Sequence, residues 1–131
     1  MKHSHSFIVL PKDCNHRMPQ IYGGAFLEQL DMACAVLVER LFINNPSSAD
    51  HAVTYKIPEI TFTAEANLGD LVTIETSINS FGPNSIIIDI KAIIENKNNL
   101  VACTGKAVFL SKRTVGLTSE FYSHGFKDRI L

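Results

Sequence analysis

At residues 22–31 the chain reads Tyr22-Gly23-Gly24-Ala25-Phe26-Leu27-Glu28-Gln29-Leu30-Asp31. This stretch predicts the start of the one long helix of the chain, because an apolar pattern at helical spacing continues from it. Paired glycines at a helix start let a ligand approach the backbone, since no Cβ stands in the way. The first turn of a helix also presents N–H groups without intrahelical acceptors and a partial positive charge. Such a start can polarise a carbonyl or hold an anion.

Asp31 follows Gly24 by seven residues, close to two helical turns, so both residues face nearly the same side. They are separated by roughly 10 Å along the axis, at a rise of about 1.5 Å per residue. That distance is too long for the Asp31 carboxylate to reach a carbonyl bound at the start of its own helix. An acid from a second subunit would bridge the gap, so the spacing already hints at a dimer.

Apolar residues surround Asp31 on this predicted helix. They recur at Phe26, Leu30, Ala33, Leu37 and Leu41, and the stripe is widened by Leu27, Cys34 and Val38. This pattern is typical of a buried helix, and an ionised carboxylate in it is costly unless it is paired. Asp31 therefore has a functional role, or it has a structural one. In the structural case it accepts hydrogen bonds from a neighbouring loop or lies on a narrow wet face beside Glu28 and Glu39.

The composition suits one compact globular domain. The chain has 131 residues, of which 46% are hydrophobic and 19% charged. A net charge of −1 argues against a broad electrostatic grip on nucleic acid or on an anionic membrane. No apolar run is long enough for a membrane span. Three cysteines without close pairs predict neither a disulfide framework nor a zinc site, and they favour a cytoplasmic location.

The rest of the chain alternates with a period of two, which predicts β-strands. Ser6–Leu10 forms a first strand, and further strands follow the helix near residues 52–64, 71–79, 86–94 and 101–109. Pro58 marks an edge or a bulge, and Gly105 would let a helix lie close against the sheet. Short turns between the last four strands favour an antiparallel meander. The prediction is an α+β fold, with one long buried helix wrapped by a curved antiparallel sheet of about five strands.

The end of the chain carries less information. We expect one domain over residues 1–131, in which residues 113–131 form a C-terminal extension of uncertain structure. Within it, Phe121, Tyr122 and Phe126 suggest a short helix that packs on the body of the domain or on a partner.

The Tyr22-Gly23-Gly24 entry to the helix, Asp31 and the order of elements together resemble the hot-dog fold acyl-CoA thioesterases. Further landmarks of the same family are Val53-Thr54, Ile60-Thr61-Phe62, Gly69-Asp70, Gly82 with Ser85, and Ala107-Val108-Phe109-Leu110. The resemblance covers roughly residues 6 to 113. It implies the hot-dog fold and hydrolysis of a thioester.

The resemblance also implies roles for individual residues. In this family a backbone N–H at the paired glycines, here Gly23 and Gly24, holds the thioester oxygen. The acid seven residues later, here Asp31, attacks the carbonyl or activates water across a subunit interface. The family's Asn-x-x-Gly loop differs here, because His16 and Pro19 stand where Asn and Gly are usual. His16 takes the polar role, or a slip of one residue gives it to Asn15; a loop histidine without catalytic duty is the alternative.

Four further residues are candidates for substrate binding. Asn84 and Ser85 correspond to a region that borders the pantetheine channel in the family, although a turn cap explains them almost as well. Lys112 and Arg113, at the end of the last strand, are placed to meet coenzyme A phosphates. Solvated strand-end charges are an equally common explanation for them.

The preferred function is hydrolysis of an acyl-CoA or acyl-carrier-protein thioester to free acid and thiol. The expected assembly is a homodimer with shared active sites, with a tetramer or hexamer left open. No cofactor, metal, nucleic acid or membrane is expected. One alternative is a hot-dog dehydratase acting on 3-hydroxyacyl thioesters, in which His16 would pair with Asp31. The other is a non-catalytic acyl-CoA binding protein, which the fold alone does not exclude.

Overall fold

The computed structural model of the chain describes residues 1–127. Two short 3₁₀ segments, Pro11–Asp13 and Glu95–Lys97, lie between its main elements. Those elements are β1 Lys2–Ile8, α1 Gly23–Asn44, β2 His51–Phe62, β3 Leu71–Phe81, β4 Ser85–Ile94, β5 Leu100–Val115 and β6 Thr118–Phe121. The first strand begins earlier than the predicted Ser6, because its alternating polar residues pair with β3 from Lys2 onward.

The predicted long helix is confirmed as α1, an unbroken helix of 22 residues. Its buried side chains recur at helical spacing and each leucine among them contributes about 2 kcal/mol of hydrophobic stabilisation; they are Ala25, Phe26, Leu30, Ala33, Cys34, Leu37, Val38 and Leu41. The helix ends where Asn45 leaves the helical conformation and its side-chain amide donates to the carbonyl of Leu41 at 3.1 Å. In the part of the chain that the structure describes, no helix is long and apolar enough to cross a membrane.

The sheet is antiparallel with strand order β1-β3-β4-β5-β2, and β6 pairs with the end of β5. The predicted meander of four strands is therefore wrong for β2, which pairs with β5 and not with its neighbour in sequence. Only β3, β4 and β5 form a meander. Residues 67–70 therefore belong to a connection from the edge strand β2 across β5 and β4 to β3, which lies between β1 and β4. Period-two alternation identifies the face of a strand and not its partner.

The faces predicted for β3 and β4 are confirmed. Val72, Ile74 and Thr76 of β3 are buried. On β4 the buried row is Ile86, Ile88, Ile90, Ala92 and Ile94. These rows form the core together with α1, so one face of the sheet packs on the helix.

β2 is an edge strand with an irregular middle. Its pairing with β5 shifts register between Thr54 and Lys56 and again between Lys56 and Glu59, so Pro58 lies at an edge and a bulge as predicted. The role predicted for Gly105 is wrong. A Cβ at Gly105 would lie 2.3 Å from the carbonyl oxygen of Glu59, so this glycine lets the bulged backbone of β2 approach β5, not the helix.

The chain after β5 forms a strand and an extended segment. Thr118–Phe121 pairs with Lys112–Val115 as β6, so the short helix predicted from Phe121, Tyr122 and Phe126 is wrong. The aromatic residues have a different reason for their spacing. Phe126 is fully buried and its ring contacts those of Phe42 and Phe81, so this segment covers the end of α1. Residues 128–131, the end of the predicted extension, lie outside the described residues.

Candidate active site

The start of α1 presents unsatisfied donors to an open space. Tyr22 precedes it with an extended backbone and makes no side-chain cap. The first intrahelical bond runs from the N–H of Phe26 to the carbonyl of Tyr22 at 3.1 Å, so the N–H groups of Gly23 and Gly24 have no acceptor within the helix. A Cβ built on Gly23 would meet no heavy atom within 4 Å. A ligand can therefore reach the backbone at Gly23.

Gly24 has a different surrounding. The ring of Tyr22 folds over it, and a Cβ at Gly24 would lie 3.0 Å from the ring atom Cε2 of Tyr22. The tyrosine ring, which is itself about half exposed, thus forms one wall beside the helix start. The two glycines serve distinct purposes, since one leaves space for a ligand and the other leaves space for Tyr22.

A hydrogen-bonded loop leads into the helix start. The N–H of Asn15 donates to the backbone carbonyl of Gln20 at 2.7 Å. Cys14 and Ile21 form an isolated antiparallel β-bridge. The N–H of Tyr22 donates to the carbonyl of Asp13 at 3.0 Å. Asp13 is buried, and a hydrogen bond from the N–H of Leu10 is the main reason why its pKa lies below the usual range. The loop is therefore held at both of its ends.

Asp31 lies about two helical turns beyond Gly24 on α1, next to the edge strand β2. Its side chain is half-buried, and its Oδ1 accepts a hydrogen bond from Oγ1 of Thr54 at 2.6 Å. This bond fixes one carboxylate oxygen and leaves Oδ2 for other chemistry. The negative charge of Asp31 adds to the effect of burial, which is the larger cause, in raising the pKa of Cys34 to about 12.

No pattern in the sequence indicates a role for Thr54. The residue is 23 positions from Asp31, and no local pattern links the two. Its only signal was the Val53-Thr54 pair among the landmarks of the family resemblance. The contact follows from the packing of α1 beside β2, which only the fold establishes.

One chain holds the two halves of this site apart. Because α1 is one unbroken helix, the axial distance between Gly24 and Asp31 is about 10 Å, as expected from the sequence. Phe26 lies between them and is covered by Phe62 of β2, with ring centroids 5.4 Å apart. Along β2, the position next to the helix start is thus Phe62, and the position next to the acid is Thr54.

The two loop candidates, His16 and Asn15, are both exposed. Oδ1 of Asn15 accepts a long hydrogen bond from the N–H of Arg17 at 3.4 Å, which turns its side chain toward its own loop. The ring of His16 lies at the surface of the same bend. The choice between them stays a prediction.

Asn84 and Ser85 lie at the start of β4 and take part in a turn. Oγ of Ser85 accepts from the N–H of Gly82 at 3.1 Å, and the carbonyl of Asn84 accepts from the N–H of Ser111 at 2.8 Å. Ser85 pairs with Leu110, which in turn pairs with Val53. These residues therefore lie two strands from the Thr54 edge, and their role in substrate binding stays a prediction.

Lys112 and Arg113 lie near the far end of β5. Nζ of Lys112 lies 5.1 Å from the ring centroid of Phe121, and Cζ of Arg113 lies 4.5 Å from that of Tyr122. Lys112 pairs with His51, three residues before Thr54 on the edge strand. Along the edge, Lys112 therefore lies roughly 10 Å from Thr54, at about 3.3 Å per residue. Lys112 and Arg113 are consecutive in β5, so their side chains point to opposite faces of the sheet.

Other features of residues 1–127 are remote from this centre. A cavity of about 250 Å³ lies at the opposite side of the sheet and is lined by residues such as Ser4, Ser77 and Lys91 of β1, β3 and β4. Within the described residues, no group of three or more His, Cys, Asp or Glu side chains is arranged to hold a metal ion. The candidate chemistry therefore rests on backbone N–H groups, a carboxylate and a hydroxyl.

A family model described as the thioesterase superfamily matches residues 18–101. A search of curated protein sequences found no match.

Several solved structures share the fold. Acyl-CoA hydrolase from Staphylococcus aureus, in complex with butyryl coenzyme A, coenzyme A and coenzyme A disulfide, is similar with a TM-score of 0.76 at 20% identity, over 94% of this chain and 68% of that one. The 4-hydroxybenzoyl-CoA thioesterase from Pseudomonas sp. strain CBS-3 has a TM-score of 0.77 at 12% identity, over 93% and 92%. A hexameric thioesterase from Yersinia pestis has a TM-score of 0.76 at 19% identity, over 92% of each chain. The predicted hot-dog fold is confirmed.

Proposed function

The chain belongs to the thioesterase superfamily, and from this premise we propose that it hydrolyses acyl-CoA thioesters to a free acid and coenzyme A. The observation that carries the proposal is a helix start that is open to a ligand at Gly23, together with a half-buried carboxylate, Asp31, held by Thr54. Similar structures contain bound coenzyme A or butyryl coenzyme A, which supports coenzyme A over a carrier protein as the thiol group.

The start of α1 supplies the oxyanion site in this proposal. As the thioester carbon becomes tetrahedral, its oxygen gains negative charge, and the N–H groups of Gly23 and Gly24 stabilise that charge. Donors of this kind lower the barrier of acyl transfer by roughly 3–4 kcal/mol. The positive end of the helix dipole adds to the same effect.

Asp31 supplies the attack. In one route Oδ2 adds to the carbonyl carbon and expels the thiolate of coenzyme A, and water then hydrolyses the resulting mixed anhydride to release the acid and restore Asp31. In the other route Asp31 takes a proton from a water molecule that adds to the carbonyl carbon and expels the thiolate directly. The hydrogen bond from Thr54 orients the carboxylate in both cases. Label in the side chain of Asp31 after a single turnover in ¹⁸O-labelled water would establish the first route, with water adding to the Asp31 carboxyl carbon, because the second route forms no bond to Asp31.

A second copy of the chain completes the site. β2 is an edge strand with half-exposed apolar residues, among them Val53, Tyr55 and Phe62, and an edge strand of this kind pairs readily with another chain. Antiparallel pairing of two β2 strands about a two-fold axis near Pro58 would bring Thr54 of one protomer opposite Phe62 of the partner subunit. The acid of one chain would then face the helix start of the other.

The remaining candidates take supporting roles in this proposal. His16 is the better choice for the polar loop residue, because the Asn15 side chain already bonds within its own loop. Lys112 and Arg113 would bind the phosphates of coenzyme A, and Asn84 and Ser85 its pantetheine arm. The similar Yersinia pestis thioesterase is hexameric, which supports an assembly of dimers. Three free cysteines support a reducing compartment such as the cytoplasm.

A panel of acyl-CoAs with a thiol reagent tests the function. We expect release of free coenzyme A by the wild-type protein and a loss of at least about 100-fold in kcat for Asp31→Asn, as expected for an essential attacking group. Glu39→Gln is the matched control, since Glu39 is an exposed acid on the same helix. Loss of water from a 3-hydroxyacyl substrate without thiol release would replace the proposal by a dehydratase. Tight binding with neither reaction would replace it by a binding protein.

A further inference from the structure

The loop that enters the helix start is bonded to a second loop, at residues 66–68. The N–H of Ile21 donates to the carbonyl of Ala66 at 2.9 Å, and the N–H of Leu68 donates to the carbonyl of Pro19 at 2.8 Å. Residues 20 and 67 also form an antiparallel bridge between these contacts. The position of residues 66–68 therefore determines the path of the chain into Gly23.

Asp70 holds residues 66–68 in place. Its carboxylate is buried, and Oδ2 accepts from the N–H of Asn67 at 2.8 Å and pairs with Nζ of Lys97 at 3.0 Å. Oδ1 accepts from Nδ2 of Asn96 at 2.8 Å. Burial by itself raises the pKa of Asp70, but the bonds from Asn67, Asn96 and Lys97 outweigh it and hold the pKa below the usual range.

We propose that Asp70 is a positioning residue for the oxyanion site. It touches no part of the candidate substrate space. It acts through Asn67 and the backbone contacts between residues 66–68 and 19–21, and it thereby aims the N–H groups of Gly23 and Gly24. The inference rests on the proposed function for its kinetic readout, while its structural readout is independent of any activity.

Asparagine at position 70 would break this arrangement without a change of size. Its amide nitrogen would face Asn67 N–H and Lys97 in one orientation and Nδ2 of Asn96 in the other. Asn96 is not free to rotate in response, because its Oδ1 accepts from the N–H of Leu71 at 2.9 Å. In either orientation, Asp70→Asn therefore places the new side-chain NH₂ group against at least one other hydrogen-bond donor, which is a costly arrangement for a buried group.

Asp89 provides a control with similar side-chain partners in a more exposed setting, because its side chain is 44% exposed and that of Asp70 is 8% exposed. It accepts from a lysine and an asparagine as Asp70 does, with Nζ of Lys106 at 2.6 Å and Nδ2 of Asn79 at 3.0 Å. It lies within β4, and its partners belong to the sheet and not to the loop that enters α1. Asp89→Asn removes the same kinds of interaction at a place remote from the helix start.

The experiment combines hydrogen exchange with steady-state kinetics on the full chain. Asp70→Asn should speed amide exchange at least tenfold in peptides covering residues 18–24 and 64–70, with peptides of β4 unchanged. Its kcat should fall about tenfold with KM within about twofold, because small displacements of catalytic groups cost that much or more. Lys97→Met should change both quantities in the same direction by a smaller factor. Asp89→Asn should leave both at the wild-type values.

Unchanged exchange at residues 18–24 in folded Asp70→Asn would overturn the proposal, as would equal effects in Asp89→Asn. If Asp70→Asn exchanges rapidly everywhere and is thus unfolded, Lys97→Met decides by the same two measurements. If the wild-type protein hydrolyses no acyl-CoA, the proposed function fails, and the exchange result still decides whether Asp70 positions the helix start.

Discussion

Gly23 is the residue at which the open space and the unsatisfied donors coincide. A methyl group there would touch nothing in the folded chain, but it would occupy the volume in front of the N–H groups. The cost of that methyl group would therefore fall on a bound ligand and not on folding.

We expect Gly23→Ala to fold normally and to lose about 100-fold in kcat/KM, comparable to the loss of an oxyanion donor. Thermal unfolding and acyl-CoA hydrolysis measure the two effects separately. Retained activity would mean that the thioester does not approach the backbone at this residue.

In the proposed mechanism, Thr54 acts through its one hydrogen bond to Asp31. Thr54→Val keeps the shape and removes the donor to Asp31, so we expect kcat to fall about tenfold, since a charge-assisted bond of this type is worth roughly 1.5–3 kcal/mol. Thr54→Ser keeps the hydroxyl and is expected to stay within about threefold of wild type. If serine and valine have the same effect, the methyl group and not the hydroxyl matters.

Positions that depend on a local sequence pattern could be predicted before the structure was known. The glycines and Asp31 stand in one helical segment, so their spacing was readable before the fold was known. The contact between Thr54 and Asp31 could not be predicted from the sequence, because it joins two elements whose packing depends on the whole core. Pro58 was assigned correctly to an edge or bulge because the missing N–H of proline limits its place in a sheet.

At the scale of elements, the contact between β2 and β5 depends on one glycine. A Cβ at Gly105 would lie 2.3 Å from the carbonyl oxygen of Glu59 and 2.5 Å from Cδ1 of Ile60. The first of these atoms belongs to the backbone, so the strands would have to move apart. Strand β2 also carries Thr54, so the same displacement would reach the acid.

We expect Gly105→Ala to lower the free energy of unfolding by about 2–3 kcal/mol, in the range of an overpacked core. Urea unfolding measures this change. Gly23→Ala is the control, since its added methyl group meets no atom of the chain. An unchanged urea midpoint in Gly105→Ala would show that the two strands are not packed as closely as described.

The errors in element prediction have physical causes. The order of strands was wrong for β2 because alternation marks which side of a strand is buried but carries no information about its neighbour. The prediction of a C-terminal helix was wrong because the two phenylalanines have different surroundings. Phe126 is buried in the core at the end of α1, whereas Phe121 lies exposed on β6. Two aromatic residues five positions apart therefore have unrelated environments.

At the scale of the whole molecule, the proposed site needs two chains. In a two-fold dimer each site would take Asp31 from one protomer and the paired glycines from the other. Asp31→Asn and Gly23→Ala homodimers would both be inactive. A heterodimer of the two variants would contain one site with both defects and one site with neither.

We therefore expect activity to return when the two inactive variants are mixed and allowed to exchange subunits. Random exchange makes half of the dimers mixed, and half of their sites intact, so recovery should approach about a quarter of wild-type activity. Native mass spectrometry of differently tagged chains confirms exchange. Mixed dimers without recovered activity would mean that each chain uses its own acid and its own helix start.

The burial of Phe126 has a consequence for synthesis of the protein on the ribosome. The hydrophobic core contains Phe126, and Phe7 of β1, which lies 119 residues earlier in the chain, packs against the same core. Strand β2, made early, must also wait for β5 before it has a partner. A nascent chain of this topology keeps apolar surface uncovered until β5 and the segment that carries Phe126 have been made, and chaperones would be needed most during that interval.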